Sequence, residues 1–406
     1  MSRQASPGSP WAVAPFRRVM VARFIAGLGA WMQLVAAGFL VYQLSGSAML
    51  VGALGAVALG PSLIGSPVAG VLGDRFCLRR MSALFAALES LPALGLAIVA
   101  VTDHLTVPII FVGVAATAVF HSLSEPIIQL VVPYTVDPDM RHRAVANMSA
   151  IYNVAQVVGA LGAGIILQLT GSWVAFAVNF VGYAAVAMVI HFSPILQRAC
   201  DLARASGDGH ILRGTLAGVR IPLVRTLLMG AVVFFVFVAP LEELMPRIAA
   251  QHGEGAGVLG LLVATICLGA VVGNPIVQRF ATDARSSQRL LAIGVLACGV
   301  PTLLLGISGA LWSDLILLLL VGIAWEFVFV SASQSLQLDV PLDIRGRMLG
   351  LFYCVSAGMS AIGALIMGAA FDDLGVDTGL IVLGAIALAC GLALWPLLGR
   401  SRAQLR

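Results

Sequence analysis

Five ionisable side chains stand inside long apolar runs of this 406-residue chain: Arg23, Glu89, His121, Glu125 and Glu326. An ionisable group in hydrocarbon is costly, and it persists where it meets a partner, a water-filled cavity or a substrate. His121 and Glu125 are four residues apart, which puts both on one face of a helix, and Pro126 beside them predicts a kink. A carboxylate shielded from water can hold and release a proton near neutral pH, the chemistry that a proton-driven membrane process needs. Some of these residues also have a plainer reading. Arg23 can be an anchor whose head reaches the interface, and His121 a packed histidine with satisfied hydrogen bonds. Glu242 and Glu243, late in the seventh apolar run, can draw a cation into a vestibule or simply end a helix in water. Gln33, Asn179 and Gln334 can hydrogen-bond a substrate or tie helices together.

A second cluster lies between two apolar runs: Gly70-Val71-Leu72-Gly73-Asp74-Arg75-Phe76-Cys77-Leu78-Arg79-Arg80. Its arginine excess predicts a cytoplasmic loop. Asp74, a lone acid among those arginines, can accept hydrogen bonds from a helix N-terminus or an arginine and so close a gate. Arg75, Arg79 and Arg80 can serve that gate or only set orientation, and Arg345 and Arg347, at the start of the eleventh run, are the expected neighbours of Asp74.

The elements that must hold these residues follow from composition. The chain is 60% hydrophobic and 10% charged, whereas a soluble domain carries about 25% charged residues. Lipid is therefore its main solvent, and apolar runs of about 20 residues predict spanning helices rather than the alternating segments of a barrel. Twelve spans are expected, near 17–44, 47–72, 81–102, 106–132, 144–169, 172–192, 222–246, 256–279, 288–308, 312–336, 346–370 and 376–398. All 23 basic residues are arginine. Twenty-one of them fall on one side of this pattern, which predicts both termini in the cytoplasm. The net charge of +4 carries no nucleic-acid signal. The six cysteines form no CxxC pair, so neither a disulfide nor a metal site is expected, and no cofactor motif is present.

The halves repeat. An offset of 208 aligns Gly52 with Gly260, Gly65 with Gly273, Pro67 with Pro275 and Pro133 with Pro341; an offset of 204 then aligns Arg141 with Arg345 and Gly171 with Gly375. Such a duplication marks a transporter of two pseudo-symmetric bundles. The expected organisation is a disordered tail at 1–14, six-helix bundles at 15–192 and 222–399, a cytoplasmic linker at 193–221 and a short tail at 400–406. The linker begins Ser193-Pro194 and reads as a short surface helix or as a solvated segment.

Six plus six helices, the central linker and Gly70-x-x-x-Asp74-Arg75-x-x-x-Arg79-Arg80 together resemble the major facilitator superfamily, with Cys77 and Leu78 standing where the family loop has a glycine and a basic residue. Arg23 with Gly29-x-Trp31, Leu44-Ser45-Gly46-Ser47, Pro67-x-x-Gly70, Asp208-Gly209 and Pro222-Leu223-x-Arg225 are similar to the bacterial drug- and siderophore-exporter branch. The resemblance implies an inner-membrane, monomeric secondary exporter of small, mostly hydrophobic molecules by proton antiport, with the 70–80 loop packed on helix 11. It also implies a third helix facing lipid or the bundle's outer flank, which weakens Glu89 as a site residue. Ala160, where such exporters often have proline, and the absence of arginine from 106–132 weaken the antiporter pattern. The alternatives are a lipid or lysolipid translocator, an importer of the same fold, or a non-transporting sensor. No nucleotide-binding loop, metalloprotease motif or nucleophile elbow is present, so an enzyme is not expected.

Overall fold

The computed structural model describes residues 9–193, 222–253, 255–281, 284–340 and 342–400. The expected linker helix, residues 1–8 and residues 401–406 lie outside them. The described α-helices, numbered in chain order, are α1 (Ala14–Ser45), α2 (Ala48–Leu59), α3 (Ser62–Arg75), α4 (Leu78–Val101), α5 (Val107–Val131), α6 (Arg141–Leu169), α7 (Trp173–His191), α8 (Pro222–Phe237), α9 (Met245–Ala249), α10 (Ala256–Phe280), α11 (Ala284–Leu305), α12 (Leu311–Asp339), α13 (Leu342–Leu374) and α14 (Val376–Arg400). Among the described residues there is no strand, and twelve helices are long and apolar enough to cross a membrane. The protein is a multi-pass all-α membrane protein.

Two of the expected helices are broken. Gly60-Pro61 separates α2 from α3, because proline has no N–H to continue the ladder. The seventh span, expected at 222–246, stops as an α-helix at Phe237; Pro240 lies in a 3-10 turn and Pro246 opens the short α9. Gly171 and Gly375, which the repeat aligns, both sit at positive φ (89° and 81°) where the chain turns between spans. Cys77, just before α4, is disulfide-bonded. That corrects the sequence expectation, since CxxC spacing reports only on near neighbours and says nothing of distant segments that fold together.

Contacts group the chain into two compact units, Met1–Ala37 with Ile64–Asp208 and Gly38–Leu63 with Gly209–Arg406. The chain thus changes unit inside α1 and again within the first turn of α3, between Leu63 and Ile64.

In the first unit α4 packs on α5 and α7. The α1–α7 contact is closer still. A Cβ on Gly29 would overlap the backbone of Asn179, and one on Gly182 would overlap the backbone of Ala26. Small residues are what let helix backbones approach in lipid, where no hydrophobic effect drives them together. Asn179 Nδ2 donates to Gln33 Oε1 (2.8 Å) beside this contact, so these two amides tie α1 to α7. In the second unit α12 packs on α10 and α11, α11 on α14, and α8 and α2 on α13.

Gly182→Val should therefore separate α1 from α7 and lower the thermal midpoint of purified protein by several degrees, overpacking typically costing about 1–3 kcal/mol. Gly162→Ala, at a glycine with open space around it, should leave the midpoint unchanged.

Candidate functional site

The first unit brings the ionisable residues within its spans together at one place. Arg23 lies nine residues into α1, about 13 Å along the helix. α5 brings His121, Ser124, Glu125 and Gln129 to one face through three- and four-residue spacing. Glu89 comes from α4 and Tyr183 from α7. Arg23 Nη1 and Nη2 donate to the two Glu125 oxygens at 2.9 and 2.7 Å, a bidentate pair. Gln129 Nε2 adds a donor to Glu125 Oε1 at 3.0 Å. One turn away, His121 Nδ1 lies 2.8 Å from Glu89 Oε1, with Tyr183 Oη 3.2 Å from the same nitrogen. The carboxylate selects the tautomer with Nδ1–H donating. Ser124 Oγ donates to the other Glu89 oxygen.

Exposure separates the members. The Glu89 side chain is 1% accessible and that of His121 43%, while Arg23 and Glu125 are at 10% and 20%. The imidazole is thus the accessible member of this pair and the Glu89 carboxylate its closed-off one. Arg23 and Glu125 cancel each other, so a proton added to His121 and Glu89 changes the net charge of the whole group. The expectation that the third helix turns Glu89 toward lipid is corrected: α4 buries Ser82, Ala86, Glu89 and Ala93 against its neighbours.

The second unit is different. Glu326 of α12 accepts one hydrogen bond, from Asn274 Nδ2 of α10 at 3.0 Å, and Gln278 Nε2 donates to Asn274 Oδ1 at 2.6 Å. On α12 next in sequence to Glu326, Trp325 belongs to an aromatic cluster: Phe234 and Phe235 of α8, Trp325 and Phe329 of α12, Phe352 and Tyr353 of α13, with successive ring centroids 5.0–6.3 Å apart. Glu242 and Glu243 lie in the turn between the seventh span and α9. Burial pushes the Glu242 carboxyl up to about 8, with the adjacent Glu243 charge adding to it, and burial pushes Glu243 up to about 7. Folding thus favours their protonated forms, and that contribution to stability is lost as pH rises from the ordinary carboxylate value through the neutral range.

A further junction joins α2 to α13. Asp372, near the end of α13, accepts from Ser47 Oγ (2.7 Å), Ala48 N–H (2.8 Å) and Met49 N–H (2.9 Å) at the start of α2. A carboxylate there complements the positive end of the helix. Arg247 stacks over the Tyr42 ring at 5.8 Å. Glycines tighten the junction, since a Cβ on Gly52 or Gly368 would press on the facing backbone at Ala364 or Ala48.

Of the residues singled out in the sequence, Arg23, Glu89, His121 and Glu125 come together, and Glu326 and the Glu242–Glu243 pair stand at separate places in the second unit. Arg79 Nη1 donates to the His191 carbonyl at 3.3 Å and Arg80 is exposed. The side chains of Gly70, Asp74, Arg75, Arg345 and Arg347 lie outside the described residues. Sequence reasoning missed Ser124, Tyr183, Asn274, the aromatic cluster and the Asp372 junction. Only Asn274, a polar residue in an apolar run, and the aspartates at 372–373 left a readable signal. Among the described residues no group of three or more metal-ligating side chains is placed to hold an ion.

Twelve candidate spans among the described residues, with ionisable side chains paired between them, suit a membrane transporter, and the matching family and relatives are transporters of the major facilitator type rather than enzymes. The chain belongs to the transmembrane secretion effector family, whose model matches residues 5–400. It is 25% identical over 359 residues to the enterobactin exporter EntS of Shigella boydii serotype 4, covering 87% of this chain and 84% of that one. The EntS of Escherichia coli O81 matches to the same extent. Among solved structures, the D-xylose-proton symporter superposes with a TM-score of 0.71 at 15% identity, over 93% of this chain and 97% of that one. The nucleoside transporter NupG does so with a TM-score of 0.68 at 11% identity, over 95% and 99%. These likenesses show the fold.

Removing one partner of the Arg23–Glu125 pair leaves an uncompensated charge, so Arg23→Met or Glu125→Leu alone should cost about 3–5 kcal/mol. The double variant should recover most of that loss, as read from unfolding midpoints in a double-mutant cycle; equal losses in single and double variants would show that the pair is not coupled. Asp372→Ala should cost about 1 kcal/mol, as loss of a helix cap does, and raise thiol labelling of an Ala48→Cys reporter several-fold.

Proposed function

We propose that this chain exports small, mostly hydrophobic molecules across the bacterial inner membrane by proton antiport, as a monomer with both termini in the cytoplasm. The observation that carries the reading is the pairing of an accessible His121 with the closed-off Glu89, one turn from a neutralised Arg23–Glu125 pair. A proton taken up at His121 changes the charge of a group that links α4, α5 and α7. The hydrophobic substrate class is supported by the aromatic residues of α8, α12 and α13, with the Glu326 carboxylate, which accepts one hydrogen bond from Asn274, proposed to meet a polar or cationic group on the substrate. The relatives are named as enterobactin exporters, which supports the outward direction. The 21 arginines that share one side of the helix pattern support the orientation.

In this reading the α2–α13 junction closes the outer side, and Asp372 must release the start of α2 before substrate leaves. Asp74, Arg75, Arg79, Arg80, Arg345 and Arg347 are proposed as inner-gate residues on the sequence pattern alone. Glu242 and Glu243 take up protons near the outer mouth.

The test is dye efflux from proteoliposomes under an imposed pH gradient. His121→Asn and Glu89→Gln should each lower gradient-driven efflux at least tenfold while leaving dye binding within about twofold. Gradient-independent efflux in the wild type would sink proton antiport, and net uptake would assign an importer.

A further inference from the structure

In the second unit α8 and α14 do not close on each other throughout. They enclose a groove of about 410 Å³, walled by Leu228, Val232 and Val233 of α8 and by Ala393 and Leu394 of α14, with Arg225 at one end. Arg225, Leu228 and Val232 recur at three- and four-residue spacing, so they form one stripe about 10 Å long. Arg225 is exposed and joins no hydrogen bond or ion pair among the described residues.

The internal repeat supplies the comparison. Helices seven and twelve, α8 and α14, correspond to helices one and six, α1 and α7. There the matching end is packed shut: Val19, Met20, Val186 and Ile190 are all buried at 1% exposure or less in one core cluster. Further along, Gly29 and Gly182 bring the backbones into contact, where the repeat places Phe237 and Ile386 in the second unit. One copy of the helix pair is sealed and the other holds an apolar channel headed by a free cation.

We propose that the groove between α8 and α14 binds an anionic phospholipid, with one acyl chain along Leu228, Val232 and Leu394 and the phosphate held by Arg225. The walls offer hydrocarbon, and among the described lining residues the one charged group is positive and at the end, which is the charge order of an anionic lipid. Arginine meets phosphate oxygens with two parallel hydrogen bonds. Basic pockets between membrane helices are where acidic headgroups lodge, and the volume lies within the range of ordinary ligand cavities.

The probe is dioleoylphosphatidylglycerol against dioleoylphosphatidylcholine, added to the full-length protein in detergent and read by native mass spectrometry and by the shift in thermal midpoint. Wild type should retain phosphatidylglycerol in preference to phosphatidylcholine. Arg225→Gln, at an exposed position, should weaken phosphatidylglycerol about fivefold, the worth of one basic residue at an anionic surface, and leave phosphatidylcholine unchanged. Ala393→Phe should fill the groove and abolish both. Equal binding of the two lipids by wild type would overturn the proposal, as would an Arg225→Gln variant with unchanged phosphatidylglycerol affinity. Loss of dye efflux in Arg225→Gln with lipid binding intact would instead make the groove an entry for the transported molecule.

Discussion

Lipid offers a charge no partner, so the charges of the first unit must find one another. Arg23 is the hardest of them to place. Its guanidinium is always protonated and sits more than two turns inside α1, with a side chain only 10% accessible. The two oxygens of Glu125 answer it in the one geometry that satisfies both groups. That fixes α1 against α5. Once Glu125 is committed to Arg23, Glu89 has only His121, Ser124 and Tyr183 to turn to, and this second group fixes α4 and α7. The glycines at 29 and 182 then become necessary, because they let α1 and α7 approach as closely as those polar contacts require. Packing in this unit follows from neutralising one cation.

Much of this was legible in the sequence because it follows from composition and period. Apolar runs of spanning length cannot be confused with soluble helices, and their ends lie close to the observed ones. Arg23, Glu89, His121 and Glu125 could be named because a charge in an apolar run is conspicuous on one strand of text. Their pairing could not be named, since Arg23 and Glu125 are 102 residues apart and a sequence gives no distance between helices. The role of Glu89 is illegible for the same reason: which face of α4 turns inward is a matter of neighbours, not of spacing. Tyr183 and Phe352 carry no signal at all, as an aromatic residue in a membrane helix looks the same facing lipid or a partner.

The helix breaks show a different limit. Pro61 and Pro240 interrupt spans, yet Pro67, Pro92, Pro126, Pro275 and Pro301 lie within continuous helices. A proline removes one N–H and crowds the preceding turn wherever it stands. Whether the helix stops depends on neighbours that resatisfy the freed carbonyl, and those are tertiary facts.

The repeat in the sequence makes the N- and C-terminal halves a comparison built into one chain. Where the first has Arg23, Glu89, His121, Glu125 and Tyr183, the offsets place Ala231, Ala297, Phe329, Ser333 and Ala387 in the second. Every ionisable member of the network is lost, and Phe329 joins the aromatic cluster instead. The shared scaffold survives, as the close approach of Gly65 to α5 and of Gly273 to α12 shows. That close helix approach was therefore retained while the chemistry around it diverged. A charged network and an apolar aromatic cluster place opposite demands on their surroundings: one needs partners that neutralise it, the other needs apolar neighbours. Two copies of one bundle can meet both demands within a single chain, and a single copy cannot do so at the same set of positions.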